Sequence, residues 1–140
     1  MPKLTALARR WAPYLLSLLR IVVAALFLEH GLQKLWGFPG GTSPVPLYSM
    51  AGAAGVIETV GGLLLLLGLF TRAAAFVLSG EMAVAYFMVH APHSFYPVVN
   101  RGELAVLYCF VFLYFVFAGG GPWSVDAAIP ALRDTGVNSR

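Results

Sequence analysis

Four long apolar runs constrain the fold of this chain more than any other feature of its sequence. They cover residues 14–35, 50–70, 72–90 and 101–118, and turn-forming or polar residues separate them. A helix of roughly 20 apolar residues is needed to cross the hydrocarbon core of a bilayer, which is about 30 Å thick. The runs therefore predict an all-α membrane protein whose four transmembrane helices pack as a bundle.

The composition points to the same class of protein. The chain is 59% hydrophobic and 11% charged, whereas an ordinary soluble domain is about 25% charged. Its nine Lys and Arg residues exceed its six Asp and Glu residues, but they form no basic run, so we do not expect nucleic-acid binding. A single cysteine, Cys109, cannot form an intrachain disulfide or a CxxC pair, so a redox role would need a bound cofactor or a partner.

The positions of the basic residues predict the orientation and the division of the chain. We expect a basic cytoplasmic lead-in at 1–13, a transmembrane domain at 14–118, and a cytoplasmic tail at 119–140 with a short interfacial helix near 124–133. Positive residues concentrate in the cytoplasmic loops of membrane proteins. With the N-terminus inside, six Lys and Arg residues lie on the inner side and two on the outer side: Lys3, Arg9, Arg10, Arg72, Arg133 and Arg140 against Lys34 and Arg101. Both termini are therefore expected in the cytoplasm.

Ionisable residues interrupt the apolar runs, and this topology brings most of them to the outer half of the bundle. They lie at the end of the first run, within the second, at the middle and end of the third, and at the start of the fourth. Ionisable groups inside a membrane span usually face a protein interior or a polar cavity and are functional candidates. We therefore predict an outer polar pocket whose ligand-binding or proton-relay candidates are His30, Lys34, Glu58, Glu81, His90, Arg101 and Glu103.

Helical phase, at about 100° per residue, separates the residues of the first run. Arg20, Phe27 and Lys34 share one stripe, and His30 lies beside Lys34 at the i, i+4 spacing. Glu29 lies on the opposite side from Arg20, and the sequence indicates no role for it.

The second run places Glu58 on a stripe of small residues. Gly55, Gly61 and Gly62 lie on the same helical face. Small residues let two membrane helices approach closely. We therefore expect this face to press Glu58 against a neighbouring helix, where it could serve a site or form a purely structural ion pair.

Other interpretations of the outer residues stay open. Asn100 and Glu103 have the spacing of a capping box at the start of a helix. Lys34 and Arg101 could reach to the headgroups of the outer leaflet instead of into a pocket.

The histidines also have structural interpretations. His90 and His93 lie in or beside a loop, where interfacial hydrogen bonds would explain them. A metal site from His30, His90, His93 and Glu58 is geometrically conceivable, but no ligand spacing specifies it, so no metal is predicted.

Several of these landmarks, together with neighbouring residues, form a series of short motifs along the chain. They are Arg20, His30-Gly31-x-x-Lys34, Glu58-x-x-Gly61-Gly62, Gly68-Leu69-x-x-Arg72, His90, Asn100-x-Gly102-Glu103-x-Ala105-x-Leu107-Tyr108, and Gly119-x-Gly121-Pro122-Trp123-Ser124-x-Asp126. In order and spacing the set resembles the DoxX family of small bacterial four-helix membrane proteins, over about residues 14–128. The resemblance implies four spans and a multi-pass protein of the bacterial inner (plasma) membrane.

The resemblance also implies a link to membrane redox systems, because family members include a subunit of thiosulfate:quinone oxidoreductase and components of oxidative-stress complexes. The leading hypothesis is an accessory or quinone- or small-molecule-binding subunit of such a system. The sequence has no haem or flavin motif, so any enzymatic role is expected to be that of an oxidoreductase subunit, with quinone as the one candidate cofactor. The alternatives are a non-catalytic assembly or partner protein, and a small proton-coupled transporter that uses Glu58 and Glu81. Expected partners are the lipid bilayer, redox proteins and a second copy of the chain.

Overall fold

All regular structure in the described part of the chain is helical. The computed structural model describes residues 2–40 and 43–129, and it contains no strand within them. The helices are α1 (Pro2–Trp36), α2 (Met50–Leu67), α3 (Thr71–Ala85), a π-helical turn (Tyr86–His90), α4 (Pro97–Asn100), α5 (Glu103–Ala118) and α6 (Val125–Ala128). The predicted all-α class is confirmed.

Three helical segments are long and apolar enough to cross a bilayer: Leu4–Trp36, Met50–Leu67 and Thr71–His90. Helix α5 is also apolar but has only 16 residues. At 1.5 Å per residue it is about 24 Å long, which is less than the thickness of a typical hydrocarbon core. The described residues therefore contain three candidate membrane-spanning helices, and the fourth span stays a prediction.

Helix α1 continues through the predicted boundary at residue 13. It is a single helix of 35 residues with Pro13 inside it. Residues 4–15 are exposed along this helix, and burial against the bundle begins only after them. The residues predicted as a lead-in are thus an extension of the first apolar helix.

The helices pack as two pairs, α1 with α2 and α3 with α5, and the α2–α3 hairpin joins the pairs. The predicted stripe of α2 is buried, including Gly55, Glu58, Gly61 and Gly62. On α1, a Cβ added to Gly31 would lie 2.7 Å from a backbone nitrogen of α2. The small residues therefore allow the α1 and α2 backbones to approach closely, as the sequence indicated.

The hairpin turn begins earlier than the predicted end of the second span. Gly68 has a φ of +70°, and its N–H donates to the Leu65 carbonyl. Phe70 also has a positive φ, of 48°. A left-handed residue cannot continue a right-handed helix, so α2 ends at Leu67 and α3 begins at Thr71.

The start of α5 corrects the predicted capping box. Arg101 has a φ of 59°, and Gly102 is the N-cap of a helix that begins at Glu103. The Asn100 side chain instead closes a local turn, accepting from the Gly102 N–H at 2.7 Å and donating to the Ser94 carbonyl at 2.7 Å. This side chain-to-backbone turn competes with helix formation, so the capping-box interpretation was wrong.

The C-terminal segment packs onto the bundle as far as it is described. Ser124 caps the four-residue helix α6, accepting from the Ala127 N–H at 3.2 Å. Gly119 and Gly120 are buried. The predicted interfacial helix near 124–133 is represented by this single turn, and residues 130–140 lie outside the described residues.

Candidate functional site

A cavity of about 730 Å³ lies among α1, α2, α3 and α5. We call this part of the molecule the Lys34 end of the bundle. Most of the lining is apolar, made of methionine, alanine, valine, leucine and phenylalanine side chains. Seven side chains with polar groups share this lining: His30, Lys34, Glu58, Glu81, His90, Arg101 and Tyr108. Six of the seven predicted candidates therefore meet in one cavity, and Glu103 is absent from its lining.

An ion pair joins α1 and α2 inside this cavity. Lys34 Nζ lies 2.5 Å from Glu58 Oε1. The Glu58 side chain is 3% exposed, whereas the Lys34 side chain is 34% exposed. The ammonium group is therefore the more accessible member of the pair, while the carboxylate is held inside the bundle by the closely packed face of α2.

Within the part of the chain that the structure describes, three carboxyl oxygens at the cavity are buried without a protein partner. Among the described residues, Glu58 Oε2, Glu81 Oε1 and Glu81 Oε2 form no hydrogen bond. A buried polar group without a partner is costly, and an isolated buried charge is far more costly. These oxygens are therefore the atoms at which a proton, water or ligand would relieve the largest penalty.

An aromatic cluster forms one wall of the cavity. The Tyr108 ring of α5 lies 5.1 Å from the Phe27 ring and 6.1 Å from the His30 ring of α1. Phe112 supports Phe27 from behind at 4.8 Å. Aromatic rings at these separations pack favourably with one another, so the wall is an apolar surface with a hydroxyl and an imidazole beside it.

The loop after α3 orients His90 at the edge of the cavity. His90 Nδ1 lies 3.0 Å from the Asn100 carbonyl oxygen. A carbonyl oxygen only accepts hydrogen bonds, so Nδ1 carries the proton and Nε2 of the neutral ring is an acceptor. His93 is held in the same way by the Val89 carbonyl, but it lines a smaller neighbouring cavity of about 350 Å³ that also includes His90 and Arg101.

The π-helical turn at the end of α3 places His90 at this position. The Ala91 N–H donates to the Tyr86 carbonyl at 2.8 Å, which is the i to i+5 pattern. The extra residue shifts the helical phase of everything that follows it. Such turns are frequent at functional sites. Residue pattern alone did not indicate this turn, because its apolar residues fit an ordinary helix equally well.

Two acidic residues of the outer region lie outside the cavity. Glu103 is exposed in the first turn of α5, and Glu29 is exposed on α1. The predicted separation of Glu29 from the buried stripe of α1 is therefore observed. Within 2–40 and 43–129, no group of three or more His, Cys, Asp or Glu side chains is placed to hold a metal ion.

A second polar cluster, which sequence reasoning did not assemble, lies where α2 and α5 end. Arg20 of α1 is fully buried. Its Nε donates to the Gly120 carbonyl at 2.9 Å, and its Nη2 donates to the Trp123 carbonyl at 2.6 Å. Its Nη1 donates to the carbonyls of Leu65 and Leu66, the latter at 2.7 Å. One guanidinium group thereby ties three chain segments together, and we call this region the Arg20 end.

Two more charged residues complete the Arg20 end. The Asp126 carboxylate accepts from the backbone N–H groups of Phe70 and Thr71, both at 2.8 Å, at the start of α3. Arg72 Nη1 donates to the Val116 and Phe117 carbonyls at 2.6 and 2.7 Å, at the end of α5. Each charge satisfies backbone groups that a helix terminus leaves unpaired and has the sign that the helix dipole favours.

Comparison with known proteins assigns the chain to a family. The profile of the DoxX family, described as DoxX, matches residues 15–91. This chain belongs to the DoxX family. An "Uncharacterized protein" of Haemophilus influenzae is 52% identical to this DoxX protein, across 84% of this chain and 92% of the relative. An "Uncharacterized membrane protein" of Mycobacterium tuberculosis is 31% identical, across 87% of this chain and 85% of the relative.

No solved structure matches this DoxX protein. A sequence signal for the Arg20 end did exist: an arginine inside an apolar run needs acceptors, and the run Gly119-Gly120-Gly121 offers backbone carbonyls without side chains to shield them. The two signals lie about a hundred residues apart, and nothing local connects them.

Proposed function

We propose that this DoxX protein is an accessory subunit of a membrane redox system in the bacterial inner membrane, and that it binds a lipophilic small molecule with polar oxygens, such as a quinone. The observation that carries the proposal is the cavity at the Lys34 end. Its volume is about 730 Å³, within the range of roughly 300–1,000 Å³ that is typical of small-molecule sites. Such sites are mostly apolar with a few polar groups that fix orientation, and this cavity has that composition.

The proposed roles follow from the positions of the polar groups. Lys34 and Arg101 would contact ligand oxygens at the more exposed part of the cavity. Glu58, Glu81 and His30 would accept or pass protons. The aromatic wall around Tyr108 would stack against a ring. The link to redox chemistry is supported by the family resemblance, and a redox partner protein would supply or accept the electrons.

The proposal includes α5 as a fourth span and both termini in the cytoplasm. Contacts of Arg20 with the carbonyls of Gly120 and Trp123 bring the segment that follows α5 beside the middle of α1. Tyr14 contacts both Trp11 and Trp123, with ring centroids 5.9 and 5.6 Å apart. Aromatic residues concentrate at membrane interfaces, so this cluster supports a position of the Arg20 end at one of the two membrane interfaces. The excess of basic residues supports the cytoplasmic side.

Ligand binding to the purified full-length protein in detergent tests the proposal. A decyl-substituted benzoquinone and its reduced form are each titrated, with isothermal calorimetry for affinity and thermal unfolding for stabilisation. We expect saturable binding by at least one form and a higher melting temperature. Lys34→Ala and Glu58→Gln should weaken binding, and Glu29→Gln, outside the cavity, should leave it unchanged. Failure of both redox forms to bind would refute the proposal.

A second candidate, a non-catalytic assembly partner, is favoured by the Lys34–Glu58 ion pair. This pair joins α1 and α2 beside the close approach of Gly31, so the polar groups could serve helix packing alone. In that case Glu58→Gln would lower the melting temperature, while no quinone, oxidised or reduced, would shift it in the wild type. A ligand-induced shift that disappears in Glu58→Gln would exclude this candidate.

A further inference from the structure

We propose that the cavity selects a neutral ring compound that carries hydroxyl donors, a hydroquinone or related phenol, over a ring that carries carbonyl oxygens alone. The inference rests on the proposed function, because it specifies the ligand class of the same cavity. It follows from which donors and acceptors of the cavity lack a protein partner, and from how deeply each of them is buried.

The buried side-chain atoms of the cavity that lack a hydrogen-bond partner within the described residues are carboxyl oxygens, which accept hydrogen bonds. Glu58 Oε2 and both carboxyl oxygens of Glu81 are buried and have no partner within the described residues. If Glu81 is ionised, both of its oxygens need donors; if it is protonated, its carbonyl oxygen still needs a donor and its O–H needs an acceptor. A ligand hydroxyl can both donate and accept, whereas a ligand carbonyl can only accept. In either state the ligand must bring donors to this part of the cavity.

His90 adds an acceptor at the cavity edge. Its Nδ1 is fixed as the protonated nitrogen by the Asn100 carbonyl oxygen at 3.0 Å. The remaining nitrogen, Nε2, is therefore an acceptor in the neutral ring. A ligand hydroxyl can donate to Nε2, whereas a ligand carbonyl cannot.

The cationic donors have less need of a ligand acceptor. Lys34 already donates to Glu58, and its side chain is 34% exposed. Arg101 is exposed. Both can therefore be hydrated when the cavity is empty. Leaving a buried acceptor unpaired costs more than leaving an exposed donor to water, so the buried carboxyl oxygens dominate the preference.

The charge balance favours a hydroxyl over an ammonium donor. The cavity lining contains two cations, Lys34 and Arg101, and two acids, Glu58 and Glu81, so its charges balance if Glu81 is ionised and are already net positive if it is protonated. A neutral hydroxyl compound leaves this balance unchanged. A cationic amine would add a net positive charge close to two basic side chains, which like-charge repulsion disfavours.

Four probes with the same decyl chain test the inference on wild-type protein in detergent under anaerobic conditions. They are a decyl benzohydroquinone, the corresponding benzoquinone, the O,O-dimethyl ether of the hydroquinone, and decylammonium. Calorimetry should show the hydroquinone binding roughly tenfold or more tightly than the quinone or the ether, since one hydrogen bond to a buried charged group is worth at least that factor. Decylammonium should bind more weakly than the hydroquinone.

A substitution assigns the preference to a residue. Glu81→Gln replaces one acceptor oxygen by an amide donor, so we expect weaker hydroquinone binding and stronger quinone binding. Glu29→Gln, on the exposed side of α1, should keep the wild-type preference.

The outcomes separate the two proposals. Equal binding of the three ring compounds would overturn the donor preference while keeping a ring-binding cavity, and tighter binding of decylammonium would replace the hydroxyl donor by a cation. Absence of binding by every ring compound would refute the proposed function and this inference with it. If a folded Glu81→Gln variant still binds the hydroquinone more tightly than the quinone by the wild-type factor, Glu81 does not cause the preference.

Discussion

Replacing Arg20 by methionine should destabilise the protein strongly, because one fully buried guanidinium donates to four backbone carbonyls. Two of these carbonyls have a further partner, since Leu65 accepts from the Gly68 N–H and Gly120 accepts from a serine hydroxyl. For the carbonyls of Leu66 and Trp123, no other partner is observed among the described residues.

The expected magnitude follows from these two carbonyls. A hydrogen bond to a charged group contributes about 1.5–3 kcal/mol, so losing both would cost about 3–6 kcal/mol. Removing the buried charge also removes its desolvation penalty, which offsets part of this loss. We therefore expect a net decrease of about 2–4 kcal/mol in the free energy of unfolding, a large part of a typical stability of about 5–15 kcal/mol.

Reversible unfolding in mixed detergent micelles measures this difference directly. Sodium dodecyl sulfate is titrated into the protein in dodecyl maltoside, and helix content is followed by circular dichroism. Arg9→Met is the matched control, because Arg9 is exposed on the same helix. A loss for Arg20→Met below about 1 kcal/mol, or no larger than that of Arg9→Met, would refute the reasoning, since it falls below the value of a single charged hydrogen bond.

Three further substitutions test other contacts with the same assay. Gly31→Ala should cost about 1–3 kcal/mol, because the added methyl group meets a backbone atom of α2. Gly80→Ala is the control: its added methyl group meets no described residue of another segment within 4 Å, so the change should be neutral or stabilising by up to about 1 kcal/mol. Equal effects of the two substitutions would contradict the close approach of α1 and α2. Lys34→Met and Glu58→Leu should each lower the free energy of unfolding, and the double variant should lose about 1–2 kcal/mol less than the sum of the two single losses. We expect no larger coupling, because the Lys34 side chain is 34% exposed and exposure weakens an ion pair. Strict additivity would show that the ion pair contributes nothing to stability. Asp126→Asn should cost about 1 kcal/mol through weaker capping of α3, and an unchanged stability would remove that role.

The sequence predicted six of the residues that line the cavity, but not which of their side chains contact one another. Antiparallel helices and an approximate depth for each residue were enough to bring His30, Glu58 and Glu81 to one place. They could not reveal which charges pair; the 2.5 Å contact with Glu58 decides that the Lys34 ammonium points into the bundle and not only toward the headgroups.

Local preferences also misjudged the start of α5. Asn100 and Glu103 have capping-box spacing, but the left-handed Arg101 and the turn closed by Asn100 delay the helix to Glu103. A side chain that bonds its own neighbouring backbone offers an alternative to helix capping, and sequence spacing alone does not distinguish the two arrangements.

The sequence by itself determined the membrane class, the approximate helical segments and the buried stripes of α1 and α2, because hydrophobicity and helical period are local and additive along the chain. Only the tertiary structure decided that Arg20 binds carbonyls at Gly120 and Trp123, and that a π-helical turn places His90 beside the cavity. The same holds for the buried Glu81 carboxyl, which has no hydrogen-bond partner within the described residues. Those features depend on distances between segments as many as a hundred residues apart, and such distances are fixed by how the helices pack together.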